Sequence, residues 1–142
     1  MQRYDDWPSR LSSYLESRRH TQFAYGSHDC CLFVADALLA MTGVDFASHF
    51  RDKYNSRFGA LRRLRERSVR PTVDAIAGQV FGAYGLPEIR PAYAQRGDVL
   101  ALSLKQEGVV LGLVSLDGMP IIAAEQGWGI AGRSYALRGW HV

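Results

Sequence analysis

Cysteine is scarce in this chain: two of 142 residues, adjacent at Cys30 and Cys31. Neighbouring residues rarely meet the separation and torsion that a disulfide demands, so reduced thiols are the default. Four scattered histidines (His20, His28, His49, His141) complete no zinc spacing with them, and no metal or cofactor is expected. Long apolar runs are missing as well. Nothing approaches the ~20 residues that span a bilayer, and Met1-Gln2-Arg3-Tyr4-Asp5-Asp6-Trp7 lacks the apolar stretch of a secretory signal. The expectation is synthesis in a cytoplasm without membrane insertion. Charge of one sign is not in large excess: 17 basic and 14 acidic residues leave +3. There is no internal repeat, linker or low-complexity segment.

What is present suits one domain over residues 1–142, large enough to be stable without a disulfide scaffold or structural metal. The first half reads helical and the second extended, which predicts an α+β fold: a helical part over about 5–85 packed on an antiparallel sheet over about 97–142. Asp5 or Asp6 can cap a first helix with Pro8 in its early turn; Trp7, Leu11, Tyr14 and Leu15 then share one face, and Arg18-Arg19 close it. Residues 29–42 form a helix apolar nearly all round, which belongs in the middle of a core, and Gly43 ends it. Residues 46–68 carry Phe46, Phe50, Tyr54, Phe58, Leu61 and Leu64 at three- and four-residue spacing. That predicts one or two amphipathic helices broken near Asn55-Ser56. A further helix runs from about Thr72 to Tyr84, started by Pro71 and stopped by Gly85 and Pro87. Strands follow at 98–104, 109–114, 120–124, 129–131 and 135–141, with turns at Lys105 to Gly108 and Asp117-Gly118.

Tyr25-Gly26-Ser27-His28-Asp29-Cys30 is the most informative stretch, a glycine-containing loop that leads into the buried helix with a thiol in its first turn. Free amides and the helix dipole at such an end stabilise thiolate, as a sulfur nucleophile requires. The competing reading is ordinary packing, since cysteine is among the most buried residue types. Fifteen of the 17 basic residues are arginine. Arg62, Arg63, Arg65, Arg67 and Arg70 spread around a helix instead of lining one stripe, so a solvated face is the commoner meaning and nucleic acid is not the expected partner. Arginines beside Tyr4, Trp7, Tyr54, Phe58, Trp128 and Trp140 suit a surface built for protein partners.

Asp29-Cys30-Cys31-Leu32-Phe33-Val34, preceded by Phe23-Ala24-Tyr25-Gly26 and followed by Arg96-Gly97-Asp98-Val99-Leu100, resembles the NlpC/P60 branch of papain-like cysteine peptidases. That family's motif reads Asp-Cys-Ser-Gly-Phe-Val after an aromatic-Gly segment, and Gly-Asp opens its first sheet strand. The likeness covers roughly residues 20–125 and looks most like a short form encoded in tail modules of bacteriophages and prophages. That form opens with Trp-x-x-Arg-Leu, here Trp7 to Leu11, and closes with an aromatic dipeptide such as Trp140-His141. The resemblance implies a papain-like fold, with Cys30 as nucleophile, Asp29 as the preceding aspartate and Tyr25 as the tyrosine that polarises the site. It also implies residence in the virion tail and other tail proteins as partners. The family's base is a histidine in a His-Val-Gly-Ile context; here Val110-Leu111-Gly112-Leu113 puts valine in its place, and valine accepts no proton. His28, two residues before Cys30, is the substitute of choice, and His141 a further one. Two functions follow from the resemblance: a tail-tip or baseplate structural or assembly subunit with an incomplete peptidase site, or an active cysteine hydrolase that cuts peptidoglycan peptides during genome entry. A nucleic-acid-binding domain using the arginine cluster is a third, weaker reading.

Overall fold

The computed structural model describes residues 2–56, 59–60, 62 and 72–142. Pro8 near the start and Arg18 in the last turn frame α1 (Trp7–Arg18), whose inner face buries Leu11 and Leu15. Neither Asp5 nor Asp6 caps it through a side chain. Asp6, the N-cap residue, accepts instead from Arg10 Nε at 2.7 Å.

α2 (Cys30–Thr42) obeys both end rules. Asp29 Oδ1 accepts from the N–H groups of Cys31 (3.1 Å) and Leu32 (2.9 Å), and Gly43 takes the left-handed conformation that stops the helix. A Cβ at Gly43 would stand 2.2 Å from the Tyr4 hydroxyl, so the residue is fixed by contact as well as by φ. Eight of the 13 positions of α2 are buried, and the helix lies between α1 and the sheet. Each buried Leu or Phe here contributes roughly 1.5–3 kcal/mol.

Of the amphipathic helices expected over 46–68, the one before Asn55-Ser56 does not form, whereas residues 59, 60 and 62, past that break, are helical, with the Ala60 N–H donating to the Ser56 carbonyl at 2.9 Å. Residues 46–52 make hydrogen-bonded turns, with Phe50 and Arg51 N–H both donating to the Ala47 carbonyl. The cause is local. Asp45 takes the Ala47 N–H and the Arg51 guanidinium, and Asp52 sits at φ 55 and reverses the chain. Phe46 is nonetheless buried. Phe58, Leu61, Leu64, Pro71 and the cluster from Arg63 to Arg70 lie outside the described residues; Arg62 is exposed. The next helix, α3 (Val73–Ala83), follows Thr72 as expected.

The sheet has six strands, all pairs antiparallel: β1 (Glu88–Ile89), β2 (Val99–Leu104), β3 (Gly108–Val114), β4 (Pro120–Ala123), β5 (Trp128–Ile130) and β6 (Ala136–Trp140). Their spatial order is β1-β6-β2-β3-β4-β5. β1 and the 3₁₀ turns at Pro91–Tyr93 and Arg133–Tyr135 go beyond the expected elements. β6 returns to lie between β1 and β2, with a bulge at Ala101/Leu102. The architecture is therefore α+β. The main core gathers Leu11, Phe33, Leu38, Leu113, Ile121 and Trp140 between helices and sheet. A smaller cluster around Leu100, Leu102, Val110 and Val114 uses the alternate strand residues. No helix of the described residues is long and apolar enough to cross a membrane.

Candidate functional site

The loop before α2 is folded by its own polar groups. Ala24 and His28 bridge, with N–H donation from Ala24 to the His28 carbonyl (3.0 Å) and from His28 to the Ala24 carbonyl (2.9 Å). Gly26, at φ 89, makes the turn and donates its N–H to Asp29 Oδ2 at 2.9 Å. The Tyr54 hydroxyl donates to the same oxygen at 2.5 Å. Asp29 is thus buried with four donors on its two oxygens. Burial first, and then the charge of Asp29, push the Tyr54 hydroxyl well above its ordinary value, so it stays a donor.

This arrangement delivers Cys30 to the first turn of α2, half-buried, with its sulfur 3.8 Å from that of Cys31. The Cys31 thiol, hydrogen-bonded to the Cys30 sulfur, lowers the Cys30 pKa below the usual thiol range. Burial works against the shift; the Leu111 N–H supports it, Asp29 opposes it and the Cys31 N–H adds to it. Cys31, the proton donor of the pair and itself desolvated, is raised well above its ordinary value.

The Leu111 N–H is free for this role because of strand parity. Val114 N–H donates to the Asp98 carbonyl, so alternate β3 residues from 114 back to 110 direct their backbone groups toward β2, while 113, 111 and 109 face the other way. β4 pairs with β3 only at Leu113↔Ile121 and Val114↔Pro120. Below that short ladder the two strands part, and a cleft of about 1040 Å³ opens beside the thiols. One wall is β3 and the β4–β5 end of the sheet, including Val110, Leu111 and Ile122; α3, with Val73 and Ile76, and Phe46 to Tyr54 form another.

The residues singled out from sequence are placed as follows. Cys30, Asp29 and Tyr25 all line the cleft. Tyr25 packs edge-on against Phe23, with ring centroids 5.0 Å apart. Asp29 positions the helix start and the loop. His28 is directed elsewhere: its ring is 1% exposed, packs against Phe33, and Nε2–H donates to the Gly127 carbonyl at 2.8 Å. Its Nδ1 is buried without a partner. The His141 Nδ1–H donates to Asp98 at 3.0 Å. His20 and His49 are exposed. Among the described residues no histidine hydrogen-bonds the Cys30 sulfur. Val110 belongs to the apolar cluster against which Cys30 packs. Among the described residues no group of three or more His, Cys, Asp or Glu is arranged to hold a metal ion.

Tyr54 and Leu111 N–H escaped sequence reasoning. One is 25 residues from the carboxylate it meets, and the other is a backbone group exposed by a register that no side chain announces.

Fold and site together define an α+β protein that sets a vicinal pair of thiols at the start of its buried helix, facing a cleft. The chain matches over residues 2–142 the family described as domain of unknown function DUF6950, and it belongs to that family. No curated protein matches it.

Proposed function

We propose that this chain has a papain-like fold of the NlpC/P60 kind and serves as a structural or assembly subunit of a bacteriophage tail tip or baseplate, with a cysteine-peptidase site that does not turn over. Support for the fold comes from the order of parts: a capped central helix with Cys30 in its first turn, followed by an antiparallel sheet whose hairpin starts after Gly97-Asp98. The tail setting rests on the resemblance carried by Trp7 to Leu11 and Trp140-His141. The observation that carries the reading is that the Cys30 sulfur has a second thiol, and no imidazole among the described residues, as its hydrogen-bond partner. Thiolate attack on an amide also needs an acid to protonate the leaving amine, and loss of a general acid–base typically costs 10²–10⁴ in rate.

A second reading, an active hydrolase of peptidoglycan peptides, draws on the lowered Cys30 pKa and the adjoining cleft. One pair of measurements separates the two. Purified wild type and Cys30→Ala are incubated with muropeptides, and phage carrying each form are titred. Background cleavage by both proteins with equal titres is the expected result. Cleavage by wild type that Cys30→Ala abolishes overturns the subunit reading in favour of the hydrolase, and a chain that does not incorporate into particles overturns the tail setting.

A further inference from the structure

Two thiols side by side in a cleft are a different device from one nucleophilic cysteine. Consecutive Cα atoms lie about 3.80 Å apart, below the 4.4–6.8 Å range found across disulfides, so Cys30 and Cys31 do not bond to each other without moving the backbone. Their sulfurs, 3.8 Å apart, are nevertheless close enough for one atom to bridge. Bonds of about 2.3 Å closing on sulfurs at that separation meet at about 110°. A linear two-coordinate ion, which needs sulfurs about 4.6 Å apart, does not fit. An ion that takes three or four protein ligands finds no such cluster among the described residues. The remaining class is a bent, soft centre that takes two sulfurs and brings its own further substituent.

We propose that Cys30 and Cys31 are a bidentate dithiol site that captures a monosubstituted trivalent arsenical. Both thiols line the cleft and neither is fully buried, so the reagent has access. The apolar wall at Val34 and Val110 accommodates its organic substituent. With phenylarsine oxide as the probe, two As–S bonds form, the As–O bond is lost, and the oxygen leaves as water with both thiol protons. No electron is transferred. The Leu111 N–H and the start of α2 favour the Cys30 thiolate for the first bond. Cys31 then closes the ring as an intramolecular step. The site needs no hydrolase activity and stands whether or not the tail assignment does.

The test uses the reduced full chain and phenylarsine oxide. Intact mass is expected to show one phenylarsenic gained for two protons lost, with two titratable thiols disappearing per arsenic. The adduct persists in excess monothiol and is released by a small dithiol. Cys30→Ser and Cys31→Ser each weaken retention by about 10²–10⁴, the usual advantage of an intramolecular second contact. An adduct that leaves one thiol titratable, or that monothiol strips from wild type as readily as from Cys31→Ser, overturns the proposal. Should a serine variant not fold, the thiol count on wild type decides alone.

Discussion

One hydrogen bond drives two neighbouring thiols in opposite directions: the Cys31 proton stabilises the Cys30 thiolate, and the resulting charge holds that proton in place. In short pulses of iodoacetamide followed by peptide mass analysis, Cys30 is expected to react below the ordinary thiol value of 9.0, and Cys31 only well above it. Equal profiles for the two would contradict the pairing. The signs for stability are opposite too. Cys30, with its folded value depressed, adds stability as pH rises from that value to 9.0 and loses it as pH falls back through the folded value. Cys31, with its folded value raised, contributes fully below 9.0 and loses that contribution as pH climbs toward its folded value. Asp29 and Cys30 were legible in the sequence because a helix start is a local affair of capping carboxylate and free amides. His28 was not. It stands two residues before Cys30, yet its ring hydrogen-bonds a carbonyl 99 residues away, a contact that periodicity and propensity do not encode.

That carbonyl belongs to Gly127, where three elements meet. Gly127 is at φ 70, its N–H donates to the Thr21 carbonyl at 2.7 Å, and a Cβ there would lie 2.1 Å from the Arg19 carbonyl oxygen. The β4–β5 connection therefore packs directly on the chain leaving α1, and Gln22 bridges Gln126 beside it. Gly127→Ala is expected to cost about 1–3 kcal/mol in urea unfolding, through backbone strain alone and more if the His28 contact is lost. Gly82→Ala, inside α3 with open space around it, is expected to stabilise by about 0.5–1 kcal/mol in the same assay. Matching effects at the two sites would mean that Gly127 is not held as described. At this scale the sequence was informative wherever an element carried its own end signals: α1 and α2, and the hairpin β2–β3 with its polar turn. It misled over 46–56, where aromatic spacing imitates a helix while Asp45 and Asp52 fold the chain into turns. The two-residue β1 is too short for any pattern and exists because β6 lies beside it.

Across the molecule, a helical half and a sheet half follow from composition and period, but the closing of the sheet does not. The last strand is placed beside β2 by contacts that converge on Asp98. This fully buried carboxylate accepts from Arg3 Nη2 (2.8 Å), His141 Nδ1 (3.0 Å), and the N–H groups of Gln95 (2.8 Å) and Val142 (3.1 Å). The Arg3 guanidinium also stacks on Trp7, 4.4 Å from the ring centroid. Removing one partner from such a buried arrangement leaves the others uncompensated. Asp98→Ala is accordingly expected to destabilise the protein by about 3–5 kcal/mol in urea unfolding, whereas Asp6→Ala, at the solvent-screened Arg10 pair, is expected to leave the midpoint nearly unchanged. A small loss at Asp98 would show that apolar packing alone sets β6 in place. Residues 3 and 142 are thus tethered to a single side chain. Loss of that one carboxylate therefore unfastens both segments together, so that fraying at two places 139 residues apart is a single event.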